Sequence, residues 1–198
     1  MGETSLLGPE QGKPTARFRV AGVSGSLRRS SVNSAFLRQL SRHCPDDLEF
    51  AIYDDLGSLP PFNPDLETSE IAAVQKWVSF LRGADLVIIC SPEYAHGVSG
   101  VLKNALDWLV SDIVLPGRPF AIPNVSTRAT IAHSHLEEIL RTMSFAVVES
   151  CSPRAALEAP LVDLEAAFDG AALRATILER QAALWAEIGG YLRACSLR

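Results

Sequence analysis

Between Val20 and Asn33 the chain reads V-A-G-V-S-G-S-L-R-R-S-S-V-N, its densest grouping of residues able to hold an anion. Ser24, Ser26, Ser30, Ser31 and Asn33 offer short hydrogen-bonding groups, and Arg28 and Arg29 add charge with a planar donor fork. Gly22 and Gly25 would allow a tight or positive-φ backbone and the close approach of a ligand. An apolar run from Phe18 to Val23 precedes the loop, and Val32, Phe36, Leu37 and Leu40 follow at helical spacing, so the polar residues fall at a strand-to-helix turn. The first turn of a helix leaves N–H groups unpaired and carries the positive end of the macrodipole, which suits a phosphate. G-x-x-G is neither the G-x-G-x-x-G dinucleotide fingerprint nor a P-loop, so a phosphate is indicated without ATP chemistry. The same residues would also serve as a plain turn and N-cap.

The elements that must position this loop can be read along the chain. Residues 1–16, rich in Gly, Pro and Glu, read as a disordered leader to a single domain over 17–198. Strands are expected at Phe18 to Val23, Leu48 to Tyr53, Leu86 to Cys90, Pro119 to Val125 and Phe145 to Glu149. Helices are expected at Ser31 to His43, from Ile71 to Arg82, from Gly100, at Ile131 to Met143 and at Ala171 to Ala194. Three prolines between Leu56 and Leu66 exclude long regular structure there, and Leu59 and Phe62 would fix that loop. L-V-I-I-C at Leu86 to Cys90 is too continuous to alternate and fits a strand covered on both faces. Alternating strands and helices imply a parallel sheet. Five strands suit a flavodoxin-like doubly wound α/β domain of order 2-1-3-4-5 with helices on both faces, where ligands bind beside the switch between the first and third strands.

The third strand leads into a second informative stretch, S-P-E-Y-A-H-G-V-S-G-V-L-K-N-A-L-D-W, Ser91 to Trp108. G-S-L-R-R-S-S-V-N at Gly25 to Asn33, S-P-E-Y at Ser91 to Tyr94 and G-V-L-K-N-A-L-D-W at Gly100 to Trp108, in this order, resemble the NADPH-dependent FMN reductase family, flavodoxin-like proteins that include quinone, azo-dye and chromate reductases. L-P-P-F-N-P-D-L-E at Leu59 to Glu67 resembles the Pro-rich connection after the second strand of these proteins. The resemblance implies FMN, with its phosphate held by Ser26, Arg28, Ser31 and Asn33 and its ring beside Pro92, Glu93 and Tyr94. Ser24, His96, Gly97 and Ser126 complete the expected cofactor-binding set. NADPH or NADH would be the electron donor and a quinone, free flavin or other small acceptor the oxidant. No catalytic residue is expected, because the nicotinamide and flavin carry the chemistry and the protein aligns them. An FMN-binding electron carrier and a phosphate-binding relative that has lost flavin are the alternatives. The family commonly has Asn where this chain has Ala95 and Pro where it has Ser99, and the segment Asn124 to Thr130 lacks the family's glycines. These changes would remove a side-chain hydrogen bond near the ring.

Other groups point elsewhere. His133 and His135, two apart on a helix, do not share a face and would not pair on a metal. His96 reads as a packing or hydrogen-bonding residue of its loop, and Lys103 and Asp107 as an i,i+4 pair. Leu102 to Trp108 is the expected homodimer or homotetramer surface, and Trp108 otherwise a packing residue. Cys44, Cys90, Cys151 and Cys195 form no C-x-x-C, which excludes a zinc knuckle or disulfide framework.

With 198 residues, 47% hydrophobic and 21% charged, the chain is long enough for one sizeable core. A net charge of −5 argues against a nucleic-acid partner, and no run reaches the ~20 apolar residues of a membrane span. A cytoplasmic location is expected.

Overall fold

The computed structural model describes residues 18–126, 129–154 and 171–197; the leader expected at 1–16 lies outside them, as do residues 155–170 before the final helix. Strands β1 (Phe18–Ser24), β2 (Leu48–Tyr53) and β3 (Leu86–Cys90) are joined through helices α1 (Val32–Arg42) and α2 (Ala72–Arg82). A short hairpin, β4 (Glu93–Tyr94) and β5 (Gly97–Val98), then precedes α3 (Gly100–Asp107). β6 (Pro119–Ala121), α4 (Thr130–Thr142), β7 (Ala146–Val147) and α5 (Ala171–Cys195) complete the order. The sheet runs β2-β1-β3-β6-β7, all parallel, with the hairpin standing apart as its own antiparallel pair. That is the expected 2-1-3-4-5 order of a flavodoxin-like fold once the hairpin is set aside.

Both faces of the sheet are covered. Ala21, Val23, Val87, Ile89 and Phe120 face a core shared with Trp77 and Leu81 of α2, Leu102 and Leu106 of α3, and Leu136 and Leu140 of α4. Val20, Leu86, Ile88 and Ala121 face the other core, with Phe36 and Leu40 of α1 and Ile177, Leu184, Trp185 and Ile188 of α5. Every residue of β3 is buried, which explains why its sequence does not alternate. Tryptophan N–H groups pin helices to their neighbours: Trp77 donates to Ala105 O at 2.9 Å and Trp185 to Leu40 O at 3.2 Å.

Three expectations change. β6 stops at Ala121, well short of Val125, because Pro123 has no N–H for a ladder and Ile122 N donates instead to Ser152 Oγ at 3.0 Å. The stretch after Pro92 is a hairpin whose central residues, Ala95 and His96, have φ of 49° and 58°. Positive φ at both positions is the type I′ pattern, whose usual residues are Asn and Gly, so Ala-His gave no hairpin signal. Finally, Leu102, Ala105, Leu106 and Trp108 are buried in the chain's own core, which leaves Lys103, Asn104 and Asp107 as the part of the expected Leu102 to Trp108 surface open to a partner. A run of exposed apolar side chains follows α3, at Val110, Ile113 and Val114.

Trp108 and Asn104 also hold the Pro-rich loop. Both donate to Pro60 O at 2.9 Å, and Asn104 Oδ1 accepts from Phe62 N at 2.7 Å. The Phe62 and Trp108 rings meet edge to face at 5.1 Å.

Candidate functional site

The carboxyl ends of β1 and β3 are adjacent, with Ser24 in register with Cys90, and the loops leaving them form the two walls of a cleft of about 550 Å³. Their close approach depends on Gly25. A Cβ there would lie 3.0 Å from Ser91 Oγ and 3.1 Å from both Leu102 Cδ2 and Ser99 Oγ. Neither Gly22 nor Gly25 has positive φ, so their use is close packing; at Gly22 a Cβ would meet Phe50 Cζ at 2.6 Å.

At one end of the cleft stands the start of α1. Ser31 is its N-cap, accepting from Ser34 N at 3.3 Å, and a local cap of this kind is why the helix begins here. The N–H groups of Val32 and Asn33 lie in the first turn, where no intrahelical acceptor exists. Asn33 is buried and its Oδ1 has no hydrogen-bond partner. Ser26 is buried and accepts from Arg28 N at 3.3 Å, and Arg28 Nε donates to Ser30 Oγ at 2.8 Å. No partner binds the terminal nitrogens of Arg28 among the described residues, so a cation, two hydroxyls and an unsatisfied amide converge on one helix end.

The other end is flatter and less polar. Tyr94, 55% exposed, lies on the hairpin together with Ala95 and His96, and Val125 and Ala129 supply an apolar wall opposite. Glu93 ties those walls together. Its Oε2 accepts from Ile131 N at 3.0 Å and Ala132 N at 2.9 Å, and its Oε1 lies 3.0 Å from His96 Nδ1. The Ala132 N–H foremost, with His96 and the Ile131 N–H, holds the Glu93 carboxyl below the usual range against its partial desolvation.

Of the residues expected in the site, Ser26, Arg28, Ser31, Asn33, Pro92, Glu93, Tyr94, His96 and Ser126 line this cleft. Ser24 and Gly97 do not. The Ser24 hydroxyl is 2.7 Å from Ser34 Oγ and stiffens the loop from beneath, while Gly97 pairs with Tyr94 across the hairpin. Ser30, Val32, Ala95, Val125 and Ala129 line it as well. Ser30 was visible as a donor in the first loop, but the apolar members carry no chemical signature and are set in place by the fold alone.

Among the described residues no cysteine lines the cleft. Burial pushes the Cys90 and Cys151 thiols above the ordinary range, and burial with Asp47 and Asp46 pushes Cys44 up to about 11. Burial also lowers the pKa of His133, with Arg154 adding to the effect and Glu137 opposing it. No helix among the described residues is long and apolar enough to cross a membrane.

Comparison with known proteins places these features in context. The family model of NADPH-dependent FMN reductases matches residues 18–156. A probable NADPH:quinone oxidoreductase 2 of Oryza sativa subsp. japonica is 40% identical over 95 residues, 46% of this chain and 47% of that protein. The match thus spans about half the length of the rice relative. A 2-hydroxy-1,4-benzoquinone reductase of Burkholderia sp is 35% identical over 62% of this chain and 69% of its own length, and the quinone reductase of Escherichia coli (strain K12) 33% identical over 63% and 70%. Among solved structures, the flavoenzyme NAD(P)H:(acceptor) oxidoreductase FerB of Paracoccus denitrificans superposes with a TM-score of 0.61, at 23% identity, over 84% of this chain and 97% of that one, a likeness of fold.

Proposed function

Because the chain belongs to the NADPH-dependent FMN reductase family, we propose that its cleft binds FMN and that the protein uses NAD(P)H to reduce a small acceptor such as a quinone or free flavin. One observation carries this reading. A single cleft joins an anion site at the start of α1 to an exposed aromatic and an apolar wall, matching a ligand with a phosphate at one end and a planar ring at the other. The unpartnered Oδ1 of buried Asn33 can only accept a hydrogen bond, so it suits a hydroxyl of the ligand, while the amide N–H groups of the same side chain are the ones a phosphate can take.

In this reading Arg28, Ser26, Ser31 and Asn33, with the first-turn N–H groups of α1, hold the phosphate. Arg28 supplies charge from a side chain already steadied by Ser30. Tyr94, Val125 and Ala129 flank the ring and keep water from it, and backbone N–H groups between Glu93 and Gly97 face its polar edge. When bound, FMN supplies the two-electron chemistry between nicotinamide and acceptor. That no cysteine lines the cleft supports leaving thiols out of electron transfer. The protein's work is therefore alignment and exclusion of water.

The expected surroundings are cytoplasmic, and we propose association as a homodimer or homotetramer through the apolar side chains that follow α3. Val110 and Ile113 are 63% and 89% exposed, and sedimentation of wild type against Ile113→Lys tests their part. Titrating the purified protein into FMN while following flavin fluorescence tests the main reading. Saturable quenching at micromolar protein supports it, and unchanged fluorescence at high protein concentration contradicts it.

A further inference from the structure

We propose that Glu93 is a positioning residue of this site: by capping α4 from across the cleft, it sets the separation of the two walls at the ring end. The inference rests on the reading of the cleft as a flavin site.

Helix α4 begins without the usual means of satisfying its first N–H groups. Its N-cap is Ala129, which has no side-chain acceptor, and its first turn contains no acidic residue. The acceptor comes instead from a residue 38 and 39 positions earlier, since Glu93 Oε2 takes the N–H groups of both Ile131 and Ala132. Its second oxygen is held by His96 from the far side of the hairpin turn, at 3.0 Å from Nδ1. The side chain is only 14% exposed, so water competes weakly for these contacts.

The residues joined in this way are the walls themselves. Glu93, Tyr94, Ala95 and His96 line one side of the cleft, and Val125, Ser126 and Ala129, on the approach to α4, line the other. The hairpin of β4 and β5 takes no support from a strand of the main sheet and packs against α4 instead. A carboxylate that merely capped a helix would stabilise α4 wherever it came from. One reaching from the hairpin also fixes how far apart hairpin and helix stand, and hence how a flat ring is gripped.

Three substitutions separate position from charge. Glu93→Gln can still accept both α4 N–H groups through its carbonyl and turn its amide to His96; Glu93→Asp keeps the charge but is one methylene too short; Glu93→Ala removes both. FMN affinity is measured by fluorescence well below each variant's melting temperature, and hydrogen exchange at the Ile131 and Ala132 amides is followed in the ligand-free protein. We expect faster exchange in the Ala and Asp variants, with the FMN dissociation constant raised about tenfold or more, and recovery of most of the affinity in the Gln variant. Unchanged exchange at Ile131 and Ala132 in Glu93→Ala overturns the clamp, whatever the ligand. Faster exchange with unchanged FMN affinity reduces Glu93 to a helix cap and also overturns it. Retention in Asp with loss in Gln would make charge, not position, the property that matters. Wild-type protein that does not bind FMN overturns the flavin reading and, with it, the role of the clamp in gripping a ring.

Discussion

Ser99 Oγ donates to the carbonyl of Gly25 at 2.5 Å, a fully buried bond between the entrance of α3 and the first residue of the anion loop. This hydrogen bond links the two loops of the cleft. Ser99→Ala leaves that carbonyl without its donor and should cost about 1–2 kcal/mol in urea unfolding. Ser99→Pro should cost less, because φ is already −57° and the ring lowers the entropy of the unfolded chain.

Arg28 should dominate the anion end. A charge-assisted hydrogen bond is worth roughly 1.5–3 kcal/mol, so Arg28→Ala should weaken FMN binding about ten- to a hundredfold in a fluorescence titration. An unchanged affinity would remove Arg28 from the site.

The hairpin turn pays a conformational cost at Ala95, whose φ of 49° lies in the left-handed region. Asn tolerates that region better, and Ala95→Asn should raise the unfolding free energy by roughly 0.5–1 kcal/mol, read by denaturant titration. A loss of stability would mean that the turn is not held as described.

Acid should loosen the ring end. The Glu93 carboxyl titrates below its ordinary 4.5 in the folded protein, so its contribution is complete above that pH and is lost as pH falls through the lower folded value. His133, lowered from 6.5, has the same sign and begins to weaken the fold as pH drops below that point. Unfolding free energy measured downward from neutral pH should fall in both ranges, and Glu93→Gln should flatten the lower one.

The strand order and the placement of both polar loops could be read from the sequence, because each rests on a strong local signal. L-V-I-I-C announces a strand buried on both faces, and the polar loop at Ser24 to Asn33 sits between a strand pattern and a helix pattern. What could not be read depends on contacts between distant residues. Nothing local says that Glu93 caps a helix beginning at Thr130, that Ser99 reaches Gly25, or that Ala-His turns a hairpin. Which side chains of Leu102 to Trp108 are open to a partner was hidden for a related reason. The apolar side chains of that stretch are the same whether a partner or the chain's own core covers them, and only the packed structure shows the latter.

The central claim is that this cleft places FMN where NAD(P)H can reduce it, and anaerobic titration of the FMN-loaded protein with NADPH tests it most directly. Bleaching of the visible band of protein-bound oxidised flavin, in proportion to the nicotinamide added, is the predicted result. Flavin that stays bound and oxidised through the titration would contradict it and leave an FMN-binding protein that takes its electrons from another donor.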